Sequence, residues 1–218
     1  MPQSTGLNRQ ILLAARPVGA PAASDVKLVE SAVPSPGPGQ MLLRNGWMSD
    51  AKSYAEPTEI AMTPATETLD KSGTAYSLHR YDHDPKTESY GSEAADKLGL
   101  NPGQVFKTLL ACTVSGELLV AVVPVNGQLD LKLLARAALA KKVSMADPVA
   151  AQRSTGYLLG GISPLGQKKA LRTFIDSSAQ SWSQIYISAG RRGLELALSP
   201  ADLAQQTRAH FAPIGRPT

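Results

Sequence analysis

Gln104-Val105-Phe106-Lys107-Thr108-Leu109-Leu110-Ala111 reads as a β-strand with a lysine in the middle of an apolar run. Two-residue alternation puts Val105, Lys107 and Leu109 on one face and Phe106, Thr108 and Leu110 on the other. A lysine flanked by Val and Leu on its own face either snorkels to a sheet edge or points into a cavity where its ammonium meets a partner. Taken alone, the strand favours the first reading, a charged gatekeeper on an edge strand. The flanks fix its limits. Asn101-Pro102-Gly103 is a turn before it, and Thr113 to Gly116 is a tight link to a second apolar run, Glu117 to Val123, so the two form a hairpin.

Working outward, Thr63-Pro64 supplies an N-cap and first-turn pair for a short helix through Asp70. Ala75 to Tyr81 reads as a strand, and Ser92 as the cap of a helix from Glu93 to Leu98. On the other side, Asp130 caps an amphipathic helix, Leu131 to Ala140, with Leu131, Leu134 and Ala138 inward. Val143 to Met145 is a short strand, and Asp147-Pro148 opens another helix. Strands at Leu171–Asp176, Gln184–Ser188 and Leu194–Leu198 follow, then Ser199-Pro200 caps a last helix to about Arg208. Strand-helix-strand units are too few for a doubly wound sheet, which leaves a mixed α+β domain.

Within this frame Gly156-Tyr157-Leu158-Leu159-Gly160-Gly161-Ile162-Ser163-Pro164-Leu165-Gly166 stands out, with four glycines in eleven residues. Such a loop makes either a tight structural turn or a backbone cradle that offers N–H donors to a ligand.

The totals restrict the functions available. The 218 residues are 43% hydrophobic and 5% aromatic, which fits a soluble globular chain of one or two domains. Cys112 is the sole cysteine, which excludes an intramolecular disulfide and a cysteine-based metal cluster and suits a reducing cytoplasm. His79 and His83 are four apart, but Tyr81-Asp82 and Asp84-Pro85 place them at a strand end and turn rather than on a helix face, so no metal site is expected. Ile11 to Ala15 is too short for a signal core, and no stretch reaches membrane-spanning length. Charge is unevenly spread: residues 131–218 hold twelve basic and four acidic residues, against five and nine in 62–130. The basic part suits a polyanion such as RNA, with Lys141-Lys142, Lys168-Lys169-Arg172 and Arg191-Arg192 as phosphate contacts.

Residues 1–61 differ from the rest, with a Pro/Gly-rich stretch around Pro34 to Gly39 and strand-like pieces at Gln10–Ala14, Val26–Glu30 and Met41–Arg44. Asn8 to Gly19, then Pro34 to Gln40 and Leu42-Leu43-Arg44-Asn45, resemble the opening of the zinc-independent medium-chain NADP-dependent oxidoreductases. The resemblance ends near residue 50, and no strand, Gly-rich loop and helix unit is present to hold a dinucleotide. The expectation is an extension (1–61) without activity of its own, joined to a domain of residues 62–218.

From Met62 onward the chain resembles the YbaK-type aminoacyl-tRNA deacylases, relatives of the inserted editing domain of prolyl-tRNA synthetase. The likeness is carried by Tyr81-Asp82-His83-Asp84, Leu98 to Pro102, Val105 to Leu110, Gly127 to Leu131, Lys141-Lys142-Val143, Ala151 to Tyr157, Gly160 to Gly166 and Arg192-Gly193-Leu194. It implies a mixed, barrel-like β-sheet flanked by helices and hydrolysis of mischarged Cys-tRNA(Pro), with Cys-tRNA(Cys) as a further substrate. It also implies that Lys107, Gly160 and Gly161 are catalytic, and that Tyr81, Tyr90, Thr108, Ile162, Ser163, Pro164, Ser188 and Glu195 bind substrate. Tyr90 and Glu195 stand where the family commonly has Phe and Asp, both larger side chains. The partners implied are the acceptor end of a mischarged tRNA and a prolyl-tRNA synthetase, with no DNA, membrane, metal or cofactor.

The residues themselves offer no Gly-x-Ser-x-Gly elbow, and Cys112 lies beside no histidine motif, so no protein nucleophile is visible. The resemblance supplies one: the thiol of the misattached cysteine attacks its own ester and leaves as a cyclic thioester. The protein then positions the ester and stabilises negative charge, with Lys107 at the terminal adenosine or its phosphate and loop N–H groups at the oxyanion. Two other classes follow from the same sequence. One is a non-catalytic or autoinhibited tRNA 3′-end binding module, blocked by the extension; the other is NADP-dependent reduction, which lacks a dinucleotide site.

Overall fold

A computed structural model of the chain describes residues 7–13, 26–32, 62–84, 87 and 90–217. It divides into two compact units, Met1–Glu56 and Pro57–Thr218. In the first, β1 (Leu7–Leu13) and β2 (Val26–Ala32) pair antiparallel, Leu7 opposite Ala32 and Leu13 opposite Val26. The strand expected at Met41–Arg44 lies outside the described residues.

The second unit opens with α1 (Pro64–Ser72). Thr63 caps it with a reciprocal Thr63–Thr66 capping box, Pro64 occupies the first turn, and left-handed Gly73 ends it. The short strand β3 (Ser77–Arg80) follows, then α2 (Tyr90–Leu98), which begins before the expected cap at Ser92. β4 (Val105–Thr113) and β5 (Leu118–Pro124) are the expected hairpin, in register from Phe106↔Pro124 to Cys112↔Leu118. β6 (Gly127–Leu129), α3 (Leu131–Ala137), β7 (Val143–Met145) and α4 (Pro148–Thr155) lead to the glycine loop. β8 (Arg172–Asp176), β9 (Ile185–Ser188), β10 (Leu194–Leu198), α5 (Pro200–Thr207), β11 (His210–Ala212) and β12 (Gly215–Pro217) complete the unit.

The main sheet runs β11-β8-β5-β4-β9-β10-β3, with β7 also paired to β4, while β12 pairs with β6. It is mixed: β11–β8, β8–β5 and β4–β9 are parallel and the other pairs antiparallel. The mixed strand-and-helix architecture is therefore as expected, while the described ladders form a path with two ends rather than a closed barrel. β4 and β5 lie at its centre. That placement corrects the gatekeeper reading of Lys107, because alternation within a strand does not reveal how many neighbours the strand has.

Central position explains composition. Leu119 to Val123 are all buried, since β5 is covered on both faces and has no solvent side to carry polar residues. Phe106, Leu110, Val120, Val122, Ile175, Ile187 and Leu196 pack on one face with Leu69 of α1 and Leu203 of α5. Ala111, Leu119, Ala121, Val123 and Phe174 pack on the other, under Leu134 of α3. Burying a side chain such as Leu134 contributes about 2 kcal/mol, and the Asp130 carboxylate, accepting from Lys132 and Leu133 N–H, sets where that helix starts. No helix among the described residues is long and apolar enough to cross a membrane.

Candidate active site at the split in the sheet

β4 sits between β5 on one side and two different strands on the other. β9 accompanies Val105 and Phe106; β7 accompanies Ala111 to Thr113. Where β9 and β7 diverge, a cavity of about 550 Å³ opens over the middle of β4. Six of the eleven expected site residues line it: Lys107, Thr108, Gly160, Ile162, Ser188 and Glu195.

The Lys107 ammonium donates to the main-chain carbonyls of Gly127 (2.7 Å) and Val125 (3.4 Å), in the segment from the end of β5 into β6. Burial holds its pKa below the usual lysine value. Neighbouring Thr108 has its Oγ1 buried without a hydrogen-bond partner. Across the cavity, Glu195 on β10 lies opposite Ser188 on one side and His79 on the other. It is 7% exposed, and desolvation pushes its carboxyl up to about 8, so the neutral acid predominates at pH 7. Tyr81, half-buried beside it, is pushed up to about 12, first by burial and then by the Glu195 charge. Tyr81 does not line the cavity, and the side chain of Tyr90 lies outside the described residues.

The glycine loop is built as a rigid wall. Gly156 ends α4 in the left-handed region, the Tyr157 hydroxyl donates to the Leu165 carbonyl (2.8 Å), and Gly161 N–H donates to the Leu158 carbonyl (3.1 Å). A Cβ on Gly161 would stand 3.0 Å from the Arg191 Cα and 3.1 Å from Arg192 N, so this glycine permits the loop to lie against the Arg191-Arg192 backbone. Arg192 donates to the Leu159 carbonyl from Nε (3.2 Å) and Nη2 (2.8 Å). Gly166, at φ +62°, approaches the Pro64 carbonyl so closely that a Cβ would lie 2.2 Å from it. Ser163 is fully buried, and its Oγ accepts from Leu165 N–H (3.3 Å). Within the expected Gly160–Pro164 segment, Gly160 and Ile162 face the cavity; Gly161 spends its N–H inside the loop, and Ser163 and Pro164 are buried behind it.

Gly91, Met145, Pro148 and Leu159 also line the cavity. Sequence reasoning passed over them because small and apolar residues carry no chemical signature. Neither Cys112, whose thiol donates to the Thr113 carbonyl (3.4 Å), nor any histidine is in the lining. His79 Nε2 bonds Ser77 Oγ (2.9 Å), and His83 Nδ1 meets Glu93 Oε2 (2.7 Å). No group of three or more His, Cys, Asp or Glu side chains among the described residues is placed to hold a metal. Among the described residues the lining thus combines one cation, a neutral acid, hydroxyls and main-chain donors, a set suited to holding a polar substrate and stabilising negative charge rather than attacking it.

Comparison with known proteins follows the same division into two parts. A protein of Enterococcus faecalis named as a candidate Cys-tRNA(Pro)/Cys-tRNA(Cys) deacylase, EbsC, is 42% identical over 120 residues, which is 55% of this chain and 73% of that protein. A solved structure described as a candidate trans-editing enzyme for prolyl-tRNA synthetase superposes with a TM-score of 0.62 at 21% identity, covering 72% of this chain and 99% of that one. The N-terminal domain of oxidoreductases matches residues 9–66, and the NADPH-dependent curcumin reductase of Escherichia coli is 41% identical over 70 residues, 28% of this chain but 20% of the reductase. The aminoacyl-tRNA editing domain matches residues 84–205, more than half of the sequence and the whole wall of the cavity from Lys107 to Glu195, and the chain belongs to that family.

Proposed function

We propose that the chain is a trans-editing hydrolase that releases cysteine from mischarged Cys-tRNA(Pro), with Cys-tRNA(Cys) as a second substrate. The observation that carries this reading is a cavity with a half-buried cation and main-chain donors but neither cysteine nor histidine in its lining. A reaction there draws its nucleophile from the substrate. The cysteine sulfur forms a bond to its own ester carbonyl carbon, the bond from that carbon to the ribose oxygen breaks, and the thiol proton passes through water to the ribose oxygen. Water then opens the cyclic thioester to free cysteine. The protein contributes orientation and charge stabilisation.

In this reading the remaining Lys107 N–H contacts the terminal ribose or phosphate, and the Gly160 and Ile162 N–H groups face the developing oxyanion. Thr108, Ser188 and Glu195 hold the aminoacyl group. Gly161, Ser163 and Pro164 keep the loop in place, and Tyr81 packs beside Glu195. The bound part of the tRNA is its acceptor end, prolyl-tRNA synthetase is the enzyme whose errors are corrected, and the cytoplasm is the compartment. The sheet wraps the cavity in barrel-like fashion. Residues 62–218 form the editing domain, and residues 1–61 are an oxidoreductase-like extension without activity.

The test is release of labelled amino acid from Cys-tRNA(Pro), Ala-tRNA(Pro) and Ser-tRNA by the full chain and by a chain starting at Met62. Cysteine release well above the other two is expected from both proteins. Equal release from all three substrates would rule out thiol assistance, and release by the shorter chain alone would identify residues 1–61 as inhibitory.

A further inference from the structure

Among the described residues β4 is paired along its length by β5, but on its other side the β9 ladder ends at Phe106 and the β7 ladder begins at Ala111, which leaves Lys107 to Leu110 without a partner strand there. β9 ends its ladder at Phe106↔Ile187, and beyond the gap Ala146 N–H donates to the Leu110 carbonyl (3.0 Å) ahead of the β7 ladder. Midway between Phe106 and Leu110 is Thr108. Its main-chain direction follows from the hairpin. Thr113 N–H donates to Glu117 O (2.9 Å) and Val125 N–H to Val105 O (2.8 Å), so the odd-numbered residues exchange bonds with the β5 side. Antiparallel alternation then turns the N–H and C=O of Thr108 away from β5 and into the gap. Thr108 Oγ1, also buried, has no partner, and the gap opens into the cavity lined by Gly160, Ile162, Ser188 and Glu195. Strand groups left open in a protein interior are rare, and such edges accept added strands.

We infer that this gap is a one-residue strand slot for the aminoacyl group. An aminoacyl ester carries an ammonium and a carbonyl separated by one carbon, the donor and acceptor arrangement of a residue in a strand. The ammonium donates to the Thr108 carbonyl and to Thr108 Oγ1, and the ester carbonyl oxygen accepts from Thr108 N–H beside the Gly160 and Ile162 N–H groups that face it as the oxyanion develops. Facing residues of an antiparallel ladder exchange the same pair of bonds. The inference rests on the deacylase reading and adds to it the groups that recognise a free α-amine. Peptidyl or N-blocked esters, which lack the ammonium, are then poor ligands.

The test uses ¹⁵N-labelled full-length protein and two uncleavable amides, 3′-deoxy-3′-(cysteinylamino)adenosine and its 3-mercaptopropionyl counterpart, which keeps the thiol and loses the amine. The cysteinyl ligand is expected to bind at least about tenfold tighter, the loss expected for a charge-assisted hydrogen bond, and to slow hydrogen exchange at the Thr108 amide by about tenfold or more. Equal affinities, no binding of either ligand, or unchanged Thr108 exchange would overturn the slot. Cysteine release from Cys-tRNA(Pro) reports separately on the deacylase reading. Thr108 protection without release would sink that reading and leave the slot standing; release without protection would do the reverse.

Discussion

Glu195→Gln isolates the effect of a buried carboxyl. Glu195 is 7% exposed on β10, and desolvation pushes it from the ordinary 4.5 to about 8. The folded chain therefore holds a proton that the unfolded chain releases between those two values. Because the native state binds more protons there, stability falls as pH rises through the window and is level outside it. Each pH unit is worth a little over 1 kcal/mol, so the whole window amounts to at most about 5 kcal/mol. Relaxation and water entry reduce this to roughly 2–3 kcal/mol. Glutamine keeps the shape and stays neutral. The variant should match the wild type near pH 4.5 and exceed it progressively up to pH 8, where the gain corresponds to roughly 5–10 °C in Tm for a chain of this size. Thermal unfolding of both proteins across pH 4.5–9 reads the difference directly, since every other titrating group cancels. A constant difference in Tm across that range would refute a neutral Glu195 in the native state.

Lys107→Ala should abolish cysteine release and also lower stability by about 1–3 kcal/mol, because the Val125 and Gly127 carbonyls lose their donor; urea unfolding and the deacylation assay check the two effects. Gly161→Ala places a Cβ against the Arg191 and Arg192 backbone, so kcat/KM for Cys-tRNA(Pro) should fall at least about tenfold, through displacement of Gly160 and Ile162. Wild-type kinetics in that variant would mean that the loop has slack. Leu139 is 94% exposed and held at φ +54°, so Leu139→Gly should raise stability by roughly 1 kcal/mol with unchanged cysteine release, read by thermal unfolding.

Much of the fold was legible wherever local chemistry determines it. Asp147-Pro148 and Ser199-Pro200 marked α4 and α5 because these side chains cap the Ala150 and Asp202 N–H groups. The β4–β5 hairpin was readable from its apolar runs and the turn between them. By contrast β6, β11 and β12 have three residues each, too few for a period, and exist because β8 and β6 offer edges to pair with. The start of α2 was misread because Ser92 has the chemistry of a cap, yet the helix begins at Tyr90. At the site, residue types and motif order brought Lys107, Gly160 and Glu195 together. They could not reveal the gap beside Thr108, which depends on where β9 and β7 diverge, nor that Gly161 lies against the Arg191 backbone.

The electrostatics of Lys107 and Glu195 belong to one argument. A lysine paired with a carboxylate brings no net charge to its surroundings, whereas one held by the Val125 and Gly127 carbonyls is fixed in place and still carries its full charge. The carboxyl that lines the same cavity is Glu195, and burial keeps it mostly neutral at pH 7. The cavity is therefore cationic while it holds an acid that could cancel the charge. Positive charge in a poorly solvated site favours a developing oxyanion and a nearby phosphate far more than it would in water. Raising the pH past 8 ionises Glu195 and removes that advantage, although the same change makes the substrate thiol a better nucleophile. Under the proposed mechanism these opposing effects should give wild-type turnover a maximum near pH 8. Glu195→Gln should extend the rise toward pH 9, and a wild-type rate that climbs steadily beyond pH 9 would contradict the neutral-acid cavity.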